Sequence, residues 1–416
     1  MLNLNRFTLL ILIALTGGCA STPEQVTPQP SSHPTPAKPA AAQPVRAKPG
    51  AASFAPASPP APVALTDKEF HEFILKLLPV KLQDKEGWAG DLQAAFKALQ
   101  IQPTAEHFCA VTAIIEQESS FQADPVVPGL PTIVRREITE RSEKYNIPET
   151  VINWMLNTTS SDGRSYGKRI DALKTEKELS DLIEEIIARI PAGRDLYPNY
   201  NPIRTGGPMQ VSVEFAESHV RARPYPYAIN GSLRNEVFSR RGGIYFGSAI
   251  LLDYPAPYDD MLYRFADFNA GRYSSRNAAF QQALSRLSGR SLVADGDLLR
   301  YKNGNPSAEP SATLGALLFF RHPLQMNEAE IQRDLRLEKL STFSKTPLYN
   351  RLFALADRAG TQPRVSLPEI DLKSPKIRRK LTTQWFASRV NGRYRNCLRQ
   401  AGLTTGRPAS KTTPNR

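Results

Sequence analysis

Residues 114–121 read Ile114-Ile115-Glu116-Gln117-Glu118-Ser119-Ser120-Phe121. Upstream of them Phe108, Val111, Ile114 and Ile115 recur at helical spacing, which predicts a helix from Thr104 to about Ser120. Glu118 falls three and four residues beyond Ile115 and Ile114, so it lies on the apolar stripe of that helix. Glu116 is turned about 200° away and reads as an ordinary surface acid. A carboxyl at the end of an apolar stripe loses hydration, which favours its protonated form. Two roles fit it: a salt-bridged or exposed carboxylate that only ends a helix, or a proton donor.

Working outward, the same periodicity recurs. Thr66-Asp67-Lys68-Glu69 has the spacing of a capping box, and Phe70, Phe73, Ile74, Leu77 and Leu78 follow it at helical spacing. Trp88, Leu92, Phe96 and Leu99 predict a second helix that stops before Pro103. Beyond the acid, helix is expected over 131–157, with a break near Pro148, and over 175–190. A loop rich in Pro, Asn and Gly follows, then a small-residue helix over 241–254, RGGIYFGSAILLDY. Further helices are predicted over 259–269, 277–287, 312–320, 328–340 and 348–359. Alternating strands are scarce, so the expected class is mainly α.

The ends of the chain are different in kind. In MLNLNRFTLLILIALTGGC the apolar run is too short to span a bilayer, so residues 1–18 read as a signal segment. The small residues before Cys19 resemble the processing signal of bacterial lipoproteins, although Thr16 stands where that family favours Leu. The resemblance implies lipidation of Cys19, and Ala20 after it implies the outer membrane, facing the periplasm. The alternative is an ordinary secreted protein. Residues 20–64 hold 12 prolines and almost no large apolar side chains, so 19–64 form a tether rather than a domain. Fully extended it reaches roughly 140 Å.

The residues from Leu65 onward are enough for a large core, as one elaborated domain or two smaller ones; 65–365 read as the helical part and 366–416 as a basic extension. The formal charge of +13 is concentrated there, with 12 Lys and Arg against Glu369 and Asp371. Such a tail suits a polyanion, in this compartment peptidoglycan carboxylates or lipopolysaccharide phosphates rather than nucleic acid, or is simply solvated. Cys109 and Cys397 do not make a disulfide framework; separate thiols is the simpler reading, with pairing left open. Five scattered histidines have no ligand spacing, so neither a metal nor another cofactor is expected.

Four stretches now bear on Glu118. Glu118-Ser119-Ser120-Phe121 resembles the catalytic signature of lytic transglycosylases and goose-type lysozymes. Gly207-Pro208-Met209-Gln210 is similar to their Gly-Leu-Met-Gln motif, and the glycine helix ending at Tyr254 is similar to the helix that follows it. Phe265-Ala266-Asp267-Phe268-Asn269-Ala270-Gly271 resembles their Ala-Tyr-Asn-x-Gly motif. The likeness covers about 104–124 and 204–280, and the whole chain also resembles an uncharacterised family of Gram-negative lipoproteins.

The resemblance implies a lysozyme-like fold that cleaves the β-1,4 bond of peptidoglycan glycan strands by lytic transglycosylation. Glu118 would act as acid and then base, while the sugar's own 6-hydroxyl attacks and leaves a 1,6-anhydro end. Ser119 would support the acid and the sugar, Gly207, Met209 and Gln210 would form the cleft floor, and Asn269 would orient acid and sugar. Three departures stand against this: Pro208 replaces Leu, Phe268 replaces Tyr, and 89 residues separate Glu118 from Gly207. Tyr245, Tyr254 or Tyr273 are the candidates for the missing hydroxyl. The segment 122–205 reads as a helical insertion flanking or covering the cleft. The rival class is a non-catalytic peptidoglycan-binding or scaffolding lipoprotein. A hydrolase would need a second carboxylate, for which Asp124, Asp162 and Asp267 are candidates.

Overall fold

The structure, a computed structural model, describes residues 65–189, 201–302, 305–372 and 381–403. Cys19, the leader and the tether lie outside the described residues. The fold is mainly α. Helix α1 (Asp67–Leu77) begins at the predicted capping box: Thr66 accepts from the Glu69 amide, and Glu69 accepts from the Thr66 amide at 2.9 Å. Helix α2 (Lys85–Leu99) ends at Gln100 in the left-handed region. Helix α3 (Ala105–Glu118) is capped by Thr104, whose hydroxyl accepts from His107 N at 3.2 Å.

The segment after the acid forms α4 (Leu130–Lys144), α5 (Glu149–Asn157), α6 (Tyr166–Asp171) and α7 (Glu176–Ala188). The break before Pro148 falls where the proline ring excludes the preceding residue from helix. The α4–α6 loop closes on itself: Val127 N donates to Lys174 O at 2.8 Å, and the Thr175 hydroxyl donates to Asp124 at 2.9 Å. Two short strands, β1 (Thr205–Gly206) and β2 (Val211–Ser212), then pair antiparallel around a four-residue turn. Next come α8 (Val213–Ala222), α9 (Leu233–Val237), α10 (Arg240–Leu252), α11 (Met261–Ala270) and α12 (Ser274–Ser288).

The second half adds strands β3 (Tyr301–Lys302) and β4 (Asn305–Pro306), then α13 (Ala312–Phe319), α14 (Arg321–Leu324), α15 (Glu328–Leu335) and α16 (Pro347–Arg358). The predicted 328–340 helix stops at Leu335 because Glu338 turns inward. Its carboxylate accepts from the Leu298 and Leu299 amides and the Tyr301 hydroxyl, and burial raises it to about 7. Strands β5 (Asp371–Leu372) and β6 (Leu381–Thr382) lead into α17 (Thr383–Gln400).

The buried apolar residues fall into two clusters. The larger runs from Phe70 to Phe268 and takes in α17; the smaller runs from Ala279 to Ala356. Arg276 is fully buried beside the smaller cluster, donating to the Leu340 carbonyl at 2.8 Å with its guanidinium over the rings of Tyr273 and Phe343. Helix α17 packs on α3 and α11, burying Phe386, Ala387, Val390 and Leu398, and Cys397 is disulfide-bonded to Cys109. Separate thiols is therefore the wrong reading. Two cysteines 288 residues apart carry no local pattern that announces a bond. No helix among the described residues is long and apolar enough to cross a membrane.

Candidate functional site

Glu118 is the last residue of α3 and is half-buried, while Glu116 is exposed and pairs with Arg393 at 3.3 Å. Ser119 is buried and its hydroxyl donates to the Ile115 carbonyl at 2.9 Å, so it closes the helix. The chain then turns sharply: Ser120 and Phe121 both take left-handed backbone, with φ of 51° and 61°. Such a conformation costs a non-glycine residue about 1–3 kcal/mol, so packing must hold it. The Phe121 ring meets Trp88 of α2 edge-on at 5.6 Å. The other side of this assembly is Arg240, the first residue of α10, whose guanidinium stands 5.6 Å from the Trp88 ring centre and pairs with Asp84 and Asp91.

The β1–β2 turn rests on that same helix. Its four residues, 207–210, close with Gln210 N donating to Gly207 O at 3.1 Å. Gly207 has φ of +72°, and a Cβ there would stand 2.3 Å from the Val237 carbonyl, so glycine alone fits. Gly243 and Gly247, one turn apart on α10, leave a groove for the turn. A Cβ on Gly243 would stand 2.5 Å from the Pro208 ring, and one on Gly247 2.3 Å from the Met209 sulfur. Met209 is fully buried in this groove, and Gln210 is half-buried with its side chain against Thr205 and Gly207. The small residues of α10 are thus explained by close approach of the turn.

Asn269 on α11 accepts from the Thr383 hydroxyl at 2.8 Å, at the first residue of α17. Helix α17 runs antiparallel to α3, because Cys397 meets Cys109 and Arg393 meets Glu116. From the disulfide, Glu118 lies about 13 Å along α3 and Thr383 about 21 Å along α17 in the same direction. The structure therefore brings the acid, the turn and Asn269 to elements that meet around α3 and α10.

Tyr245 does not join them. It is fully buried, with its hydroxyl 3.2 Å from His219 Nε2 and 3.4 Å from the Pro224 carbonyl. Burial pushes His219 down to about 4, with Arg272 and Arg223 adding to the effect. Tyr254 donates to Asp267 at 3.1 Å, and Tyr273 packs over Arg276. The three spare carboxylates are also engaged. Asp267 is fully buried and accepts from the hydroxyls of Tyr254 and Tyr258 and from the amides of Tyr273 and Ser275; burial raises it to about 6 despite these bonds. Asp162 is held low by its hydrogen bonds to Arg164. Asp124, raised by burial, accepts from Thr175.

Residues 81–400 match the family described as "Protein of unknown function (DUF1615)". The chain belongs to that family. The DUF1615 match runs from the turn before α2 to the last residue of α17, so it takes in the acid, the turn, Asn269 and both disulfide cysteines. The chain is also similar to a protein of Escherichia coli (strain K12) described as "Uncharacterized protein YaiW". The two are 46% identical over 325 residues, covering 78% of this chain and 88% of the relative. No solved structure matches this chain.

Three residues of the site went unread in the sequence. Trp88 was legible only as a core position, and Arg240 and Thr383 not at all. Each acts through a partner far along the chain: Phe121, Trp88 and Asn269 respectively.

Proposed function

We propose that this protein cleaves peptidoglycan glycan strands by lytic transglycosylation at a lysozyme-like site, with Glu118 as general acid and then base. The observation that carries the reading is the seating of the Gly207–Gln210 turn in the Gly243 and Gly247 groove of α10, a helix that also reaches the acid through Arg240, Trp88 and Phe121. Glu118 and Gly207 are 89 residues apart in sequence, and the neighbourhoods of both lead to α10. Glu118 would protonate the glycosidic oxygen, and Asn269, positioned by Thr383, would orient the sugar. With Asp124, Asp162 and Asp267 all engaged elsewhere, a mechanism that uses one carboxylate fits better than a two-carboxylate hydrolase. Anchoring through a lipidated Cys19 at the outer membrane belongs to the same proposal.

A second reading, glycan binding without cleavage, is favoured by the tyrosines: the hydroxyls of Tyr245 and Tyr254 are committed to buried partners, Tyr273 packs over Arg276, and Phe268 has no hydroxyl. One experiment separates the readings. Intact sacculi are incubated with the protein and the released muropeptides are weighed by mass spectrometry. New 1,6-anhydro ends that vanish in Glu118→Gln support the proposal, reducing ends mean hydrolysis, and retention on sacculi with no new ends means a binder.

A further inference from the structure

Helix α17 carries four arginines, no lysine and no carboxylate. Arg393 is spent on Glu116, and Glu106 and Asp260 act on Tyr394 from the packed side. Arg389, Arg395 and Arg399 are exposed and pair with no carboxylate among the described residues. They fall within an arc of about 120° and span about 15 Å along the axis, and the half-buried Trp385, which packs on the larger cluster, lies one turn before Arg389. The Arg389 guanidinium lies 5.7 Å from the centre of the Trp385 ring, and among the described residues Arg399 donates to Asn396 on the same helix. In sequence the setting is as one-sided: from Leu372 to Arg416 there is no Asp or Glu.

We propose that this outward face of α17 docks on the phosphates of an anionic membrane surface. Guanidinium forks match phosphate oxygens in pairs, whereas a lysine row would act as point charges. Polymers of sugars or bases need a series of rings to stack on, and this face has one. Docking would fix how the molecule stands on the membrane, whatever chemistry the site performs.

The test uses the full chain and vesicles of phosphatidylcholine with or without phosphatidylglycerol, at about 0.1 M salt. The readout is the ratio of partition onto the anionic over the neutral vesicles, in which any apolar contribution of the N-terminal segment cancels and its charge is common to wild type and variants. The wild type should prefer the anionic vesicles. Replacing Arg389, Arg395 and Arg399 together by Gln should cut that preference at least about 30-fold. A control with Arg221, Arg321 and Arg358, three exposed arginines elsewhere, changed to Gln should cut it less than about 3-fold. Circular dichroism confirms that both triples are folded, and raising the salt of the wild type gives an independent reading. Equal partition by the wild type, or equal loss in both triples, overturns the proposal. So does an α17 triple that keeps its vesicle preference and loses binding to sacculi.

Discussion

Removing the Cys109–Cys397 bond tests how the site is held together. The perturbation is Cys109→Ala with Cys397→Ser, alongside the reduced wild type. The bond closes a loop of 288 residues. In the chain-entropy treatment such a loop restricts the unfolded chain by about 19 cal/mol/K, or nearly 6 kcal/mol at 25 °C. Measured losses run below that figure because reduced chains keep residual structure, so a loss of about 3–6 kcal/mol is expected. The native contacts of α17 should survive, since Phe386, Ala387, Val390 and Leu398 remain buried without the sulfur bridge. What changes is the freedom of α17 to leave: it is the last helix among the described residues, held otherwise by its apolar face, the Glu116–Arg393 pair and the Thr383–Asn269 bond. Urea unfolding followed by circular dichroism measures the loss, and limited proteolysis with fragment mapping shows whether cleavage appears first in 381–403. A loss under about 1 kcal/mol, with no new cleavage, would refute the reasoning that the bond restrains the unfolded chain.

Other predictions follow from the same geometry. Glu118→Gln should slow release of anhydro-muropeptides at least about 100-fold while sacculus binding persists, and Glu116→Gln should leave the rate within about 2-fold. Gly243→Ala forces a methyl against the rigid Pro208 ring and should cost about 1–3 kcal/mol in thermal or urea unfolding; an unchanged midpoint contradicts the groove. Thr383→Val removes the hydroxyl that Asn269 accepts, so turnover should fall with little change in unfolding midpoint; Thr383→Ser should restore it. His219 is neutral in the fold down to about 4, against 6.5 when unfolded, so the unfolded chain binds the extra proton between those values. Its contribution is therefore lost as pH falls through that window, and His219→Phe should gain about 3 kcal/mol relative to wild type between pH 7 and 4. A pH-independent difference between the two proteins would show that His219 titrates normally.

Much of the fold is legible because its helices are locally encoded. The capping box at Thr66, the stop before Pro103 and the break before Pro148 are backbone chemistry within a few residues, and they stand where the sequence puts them. The glycines of α10 announce a close approach but not its partner. The tyrosines mislead for a physical reason: a phenol hydroxyl bonds equally well to a ligand or to a buried acceptor, and only packing shows that Tyr245 faces His219 and Tyr254 faces Asp267.

The sequence by itself therefore determined the class, the helix ends and the amphipathic placing of Glu118, all of which depend on periodicity and on caps a few residues apart. Only the tertiary structure decided that the apolar residues form two clusters, that α17 returns from the far end of the chain to the acid helix, and that Cys109 bonds Cys397. It alone set Pro208 and Met209 against Gly243 and Gly247, and Thr383 against Asn269. The reason is the range of the interactions. Hydrogen bonds within a helix are written in neighbouring residues, whereas burial, ring packing and a disulfide join residues whose separation in sequence carries no pattern.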